Sequence, residues 1–140
     1  MNKVKPIERD AVERGCTIKH KTACTKLFIT VNHNSNNEIF ECFITPGKEG
    51  GCHACLSAIG ALISLALRYN VPINDIIKQL KGIRCKACTM SLHNELEQIK
   101  QKNNGVLQKD FKSEIHFSCP DAISKALLFS HNKMKDNEKK

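Results

Sequence analysis

The stretch Gly50-Gly51-Cys52-His53-Ala54-Cys55-Leu56-Ser57-Ala58-Ile59-Gly60-Ala61-Leu62-Ile63-Ser64-Leu65-Ala66-Leu67-Arg68 decides the fold. From Ala54 to Leu67 the residues Leu56, Ile59, Leu62, Ile63, Leu65, Ala66 and Leu67 cover most of a helical wheel, which predicts a central helix buried on nearly all sides. Arg68-Tyr69-Asn70 ends the apolar run and Val71-Pro72 breaks the helix, because proline has no amide to donate. Ile73, Ile76, Ile77 and Leu80 then recur at helical spacing until Gly82 stops them. The chain leaves that stop and enters Cys85 and Cys88, a second C-x-x-C after Cys52/Cys55.

Toward the N-terminus, Leu27–Val31 and Ile39–Ile44 are runs of β-branched and aromatic residues, and the polar Asn32–Asn37 between them reads as a hairpin loop. Residues 1–20 read as a partly ordered N-terminal arm. Beyond Cys88, Leu92, Leu96 and Ile99 share one face of a surface helix that Asn103-Asn104-Gly105 stops. Ile115 and Phe117 alternate with polar neighbours, as in a third strand. Ser118-Cys119-Pro120-Asp121 opens a last helix: proline sits where no donor is needed, and aspartate suits the positive end of the helix dipole. Ile123, Ala126, Leu127 and Leu128 give that helix its apolar face, and residues 132–140 read as a disordered basic tail. The expected architecture is α+β: a small antiparallel sheet, hairpin plus third strand, packed on a buried central helix in one domain over 21–131.

A chain of 140 residues suits one hydrophobic core. Its net charge of +8 suits either an anionic partner (nucleic acid, nucleotide phosphate or an acidic protein surface) or simply a solvated basic surface. An aromatic content of 5% weighs against nucleic acid, which is bound by stacking. The charged start at Met1–Asp10 lacks the apolar core of a secretory signal, and the longest apolar run is too short to span a bilayer, so a cytoplasmic protein with no membrane contact is expected. In that compartment eight cysteines suit metal ligation or thiol chemistry better than disulfides. No Ser/His/Asp grouping or carboxylate pair suggests hydrolysis.

Zinc takes four thiolates in a tetrahedron, and C-x-x-C presents two sulfurs from one turn. Cys85/Cys88 follows a helix stop in a short polar segment and needs two more ligands. Cys24 and Cys119 stand at element ends from which side chains can turn to a shared point. A zinc site of Cys24, Cys85, Cys88 and Cys119 is therefore expected, with Lys26, Arg84 and Lys86 near enough in sequence to offset its charge. The competing reading makes Cys24 and Cys119 small buried apolar residues. Cys52/Cys55 at a helix start, where the dipole lowers a thiol pKa, suits a second metal pair, a dithiol redox site or simple packing. Gly47, Lys48, Gly50 and Gly51 join a strand to a helix N-terminus and could cradle a phosphate or a nucleotide; their spacing matches neither a P-loop nor a dinucleotide fingerprint, and tight turns also need glycine.

Five short pieces together resemble, in order, the TSCPD domain: Thr22-Ala23-Cys24-Thr25-Lys26, Gly47-Lys48 with Gly50-Gly51-Cys52, Ile63-Ser64-Leu65-Ala66-Leu67-Arg68, Gln79-Leu80-Lys81-Gly82-Ile83-Arg84-Cys85 and Ser118-Cys119-Pro120-Asp121-Ala122-Ile123. That domain occurs near the C-terminus of adenosylcobalamin-dependent (class II) ribonucleotide reductases and as free-standing small proteins. The resemblance implies recurrent cysteines at Cys24, Cys52, Cys85 and Cys119, with Cys88 completing the C-x-x-C of stand-alone members. Thr25 stands where glycine is usual, Phe117 where the name-giving threonine would be, and residues 89–113 look like an insertion. The reductase's barrel, radical cysteine and cobalamin site need several hundred residues more. What the resemblance implies is a zinc-binding accessory or regulatory module of deoxyribonucleotide synthesis that binds a reductase subunit or nucleotide. A nucleic-acid-binding zinc module and a dithiol redox protein are the alternatives.

Overall fold

The computed structural model describes residues 5–47, 52–102 and 116–137. Among them the elements run β1 (Arg14–Lys21), β2 (Lys26–His33), β3 (Ile39–Pro46), α1 (His53–Arg68), α2 (Ile73–Leu80), α3 (Lys86–Lys102) and α4 (Cys119–Asn137). The strands form an antiparallel meander in the order β1-β2-β3. Ile18, Ile29 and Ile44 lie side by side, as do Cys16, Val31 and Cys42. Leu27, Ile29, Val31, Cys42 and Ile44 bury one sheet face in a core shared with Leu56, Ile63 and Leu67 of α1, Ile76 and Ile77 of α2, and Ala122, Ile123, Ala126 and Leu127 of α4. The α+β class and the β2–β3 hairpin are as the sequence predicts.

β3 is an edge strand, and α1 closes it. Gly60 permits the approach, since a Cβ there would stand 3.2 Å from the Cys42 carbonyl oxygen. One turn on, the Ser64 hydroxyl donates to the Cys42 carbonyl and accepts from the Cys42 amide, both at 3.0 Å. A helix side chain thus satisfies backbone groups that an exposed edge would offer to another chain. Ser64→Ala leaves both groups buried without partners and is expected to lower stability by about 1–3 kcal/mol in chemical denaturation.

Three sequence expectations change. The third strand is β1, inside the segment that reads as an arm, while Phe117 lies in a bend and Ile115 falls outside the described residues. Its inward positions are Cys16, Ile18 and His20, so one strong apolar residue marks it. The central helix is buried on one face only: Leu56, Gly60, Ile63, Ser64 and Leu67 face the sheet, whereas Leu62 is 65% exposed. A helix laid along the edge of a narrow sheet has one contact face, whatever its wheel contains. The basic tail is helical as far as Asn137, because buried Ser130 and half-buried His131 and Met134 continue the inward stripe of α4. The segment expected as an insertion carries α3 to Lys102, and its remainder falls outside the described residues. Among the described residues no helix is long and apolar enough to cross a membrane.

Candidate metal centre

Three helices begin at cysteines. Cys52 is the N-cap of α1, Cys85 immediately precedes α3 with Cys88 in its first turn, and Cys119 is the first residue of α4. The C-x-x-C at Cys85/Cys88 therefore belongs to a helix start rather than to a polar loop. Its sulfur serves as a serine cap would: the Cys88 amide donates to Cys85 Sγ at 3.4 Å, and the Thr89 amide donates to the Cys85 carbonyl at 3.0 Å. Ser118 caps α4, accepting the Asp121 amide at 3.2 Å. Cys24 lies in the turn between Lys21 and Lys26, the paired ends of β1 and β2. The turn is closed by the Thr22 amide and hydroxyl, which donate to the Thr25 carbonyl at 2.9 and 3.0 Å.

The segments carrying these cysteines are stitched together. The Cys85 amide donates to the Phe117 carbonyl at 3.0 Å, and the Ser118 hydroxyl donates to the Ile83 carbonyl at 2.6 Å. Asp121 accepts the Gly82 amide at 2.9 Å and the Phe117 amide at 3.2 Å, and pairs with Lys125 at 3.0 Å. Gly82 has φ +77°, the left-handed conformation that glycine adopts without strain and that aims its amide at Asp121. The Arg84 guanidinium lies 4.9 Å from the Phe117 ring centroid. The β1–β2 turn joins the assembly through the Thr22 hydroxyl, 3.8 Å from Cys119 Sγ, and the Ala23 amide, which bonds the Cys88 sulfur.

Burial pushes the Cys88 thiol up to about 12, against the Ala23 amide, and the Cys85 and Cys119 thiols add to the shift. Burial likewise pushes Cys119 up; the Thr22 hydroxyl opposes it, and Cys24, Cys85 and Cys52 reinforce it. Cys85 and Cys119 thus bear on Cys88, and Cys24, Cys52 and Cys85 on Cys119, at one corner. Cys42 is in the core, Cys16 faces Ser130 at 3.8 Å, and Cys55 is exposed on α1. Among the described residues no three His, Cys, Asp or Glu side chains stand in a geometry that would hold a metal ion. Thiols are nevertheless the donor type that zinc takes: a dication here would turn the mutual repulsion of thiolates into attraction, and the positive ends of α1, α3 and α4 would favour the same anions.

Gly47 is not a free phosphate donor, since its amide bonds the Lys26 carbonyl at 2.7 Å; Lys48, Gly50 and Gly51 lie outside the described residues. The sequence gives no warning of Asp121 as a bridge, nor of His20 and His116, whose rings meet edge to face at 4.4 Å. The acid in the first turn of α4 reads as a dipole partner, and the two histidines are brought together only by the tertiary fold. Burial pushes His20 down, aided by Lys125, and pushes His116 down to about 4, aided by His20 and Lys125 against Asp121. Such groups bind fewer protons in the folded than in the unfolded state, so stability falls as pH drops from about 6.5 toward 4. His116 alone should cost on the order of 2–3 kcal/mol across that window, and denaturation of His116→Gln at pH 7 and pH 4.5 should show a correspondingly weaker pH dependence.

A three-stranded antiparallel meander backed by helices, with cysteines at a hairpin turn and at three helix starts, defines a small α+β protein. The TSCPD domain family model matches residues 2–128, and the chain belongs to that family. No curated protein and no solved structure matches it.

Proposed function

We propose that the chain is a stand-alone zinc-binding accessory or regulatory module related to ribonucleotide reductase, which binds a reductase subunit or a nucleotide and carries no radical chemistry. The observation that carries the reading is the convergence of thiols from separate elements on one corner. Cys24, Cys85, Cys88 and Cys119 would hold the ion, with Cys52 as a fifth claimant. Bound there, zinc supplies structural cross-linking of the β1–β2 turn to the starts of α3 and α4. The chain's own groups prepare the corner: the Ala23 amide and the Thr22 hydroxyl meet sulfur, and Asp121 locks the Gly82–Cys85 segment to α4. A reducing cytoplasm keeps the thiols available.

The test is a binding titration of the zinc-loaded chain with an adenosylcobalamin-dependent reductase, alongside thermal scans with nucleoside di- and triphosphates. Saturable binding, or a rise in Tm with nucleotide concentration, is expected. Neither effect in a zinc-loaded sample would sink the partner reading. A second reading, thiol exchange at Cys52/Cys55, is favoured by the exposure of both sulfurs at the start of α1. It requires that Cys55→Ser abolish disulfide reduction while zinc is retained.

A further inference from the structure

We propose that the outer face of the sheet binds single-stranded nucleic acid. This surface is independent of the zinc reading. The register sets the outward side chains in rows: Lys21 beside Lys26; Lys19, Phe28 and Thr45; Thr17, Thr30 and Phe43. Phe28 is 37% and Phe43 44% exposed, on the side away from the core. They are diagonal neighbours on adjacent strands, at about 7–8 Å between backbones, a separation that lets two successive bases stack on two rings. Beside them the Thr17 and Thr30 hydroxyls, 2.9 Å apart, offer hydrogen bonds to sugar or base edges.

Charge decides the occupant. Lys19, Lys21 and Lys26 are exposed and, among the described residues, make no ion pair. Glu41, the acid on this face, is neutralised by its ion pair with Arg9, whose guanidinium also lies 6.0 Å from the Phe43 ring centroid. The face therefore offers aromatic rings next to lysines that make no ion pair among the described residues, which matches bases on a phosphate backbone. A second copy packed here about a two-fold axis would bring both sets of lysines together. A duplex hides its base faces and could not use the phenylalanines.

The test is fluorescence anisotropy of the full chain, zinc-supplemented and reduced, with labelled oligodeoxythymidine and oligouridine of about 12 nucleotides and with a duplex of equal length. Single strands should bind and the duplex only weakly, and the DNA and RNA arms show whether the sugar is read. Affinity should fall between about 50 and 200 mM salt, with a log–log slope of about −2 from three lysines. Phe28→Ala and Phe43→Ala should each weaken binding about tenfold or more, with thermal unfolding showing that both variants fold. Lys19→Gln should reduce the salt slope by about 0.7, which a folding defect would not do. No binding at low salt, equal binding of the duplex with neutral phenylalanine variants, or self-association abolished by Phe43→Ala would each overturn the proposal.

Discussion

Asp121→Ala is expected to destabilise the chain by about 3–5 kcal/mol, the range for removing one partner from a buried charged network. The carboxylate is 2% exposed and joins three things at once: the Gly82 amide after α2, the Phe117 amide before α4, and the Lys125 ammonium one turn along α4. Alanine leaves both amides without their acceptor and removes the ion pair to Lys125. Asp121→Asn keeps an acceptor but loses the charge and turns an amide group toward a donor, so its loss should be smaller, about 1–3 kcal/mol. Urea denaturation with an unchanged m value checks both. Burial pushes the Asp121 carboxyl up, but the two amides and Lys125 outweigh it and hold the group below its usual range. A depressed carboxylate stabilises the fold above its unfolded pKa. The gap between wild type and Asp121→Ala should therefore persist at pH 5 and shrink as pH falls below the carboxylate range.

The second large effect falls on the zinc-loaded protein. Cys88 is the most buried thiol of the corner, 2% exposed, and it receives the Ala23 amide from the β1–β2 turn. Cys88→Ser should lose the metal and with it the cross-link between turn and helices. A ligand present at about a thousand times its Kd contributes about 4 kcal/mol, so Tm should fall by about 10 °C or more. Chelator added to wild type should reproduce most of that drop and leave Cys88→Ser nearly unchanged. Equal responses of both proteins to chelator would contradict the role given to Cys88.

Local signals carried most of what the sequence revealed. α2 is readable because Ile73, Ile76, Ile77 and Leu80 repeat between a proline and a glycine. The start of α4 is readable because Ser118 and Pro120 each have a chemical reason to stand there. β1 is not, since its inward residues Cys16 and His20 look polar until Ser130 and His116 come to meet them from the last third of the chain. The buried side of α1 is hidden for the opposite reason: its wheel is apolar all round, and the edge of β3 selects one face. The candidate cysteines were legible as spacing and motif. What joins them was not, because the backbone bonds from Gly82, Ile83 and Cys85 to residues 117–121 cross the whole of α3.

Metal content reads out whether one zinc is held by thiols from the β1–β2 turn and from the starts of α3 and α4. Elemental analysis of wild type, Cys24→Ser and Cys52→Ser, each purified under reducing conditions, should find one zinc per chain in wild type and Cys52→Ser and none in Cys24→Ser. Retention in Cys24→Ser with loss in Cys52→Ser would move the site to the two C-x-x-C pairs, and wild type without metal would rule out a zinc centre.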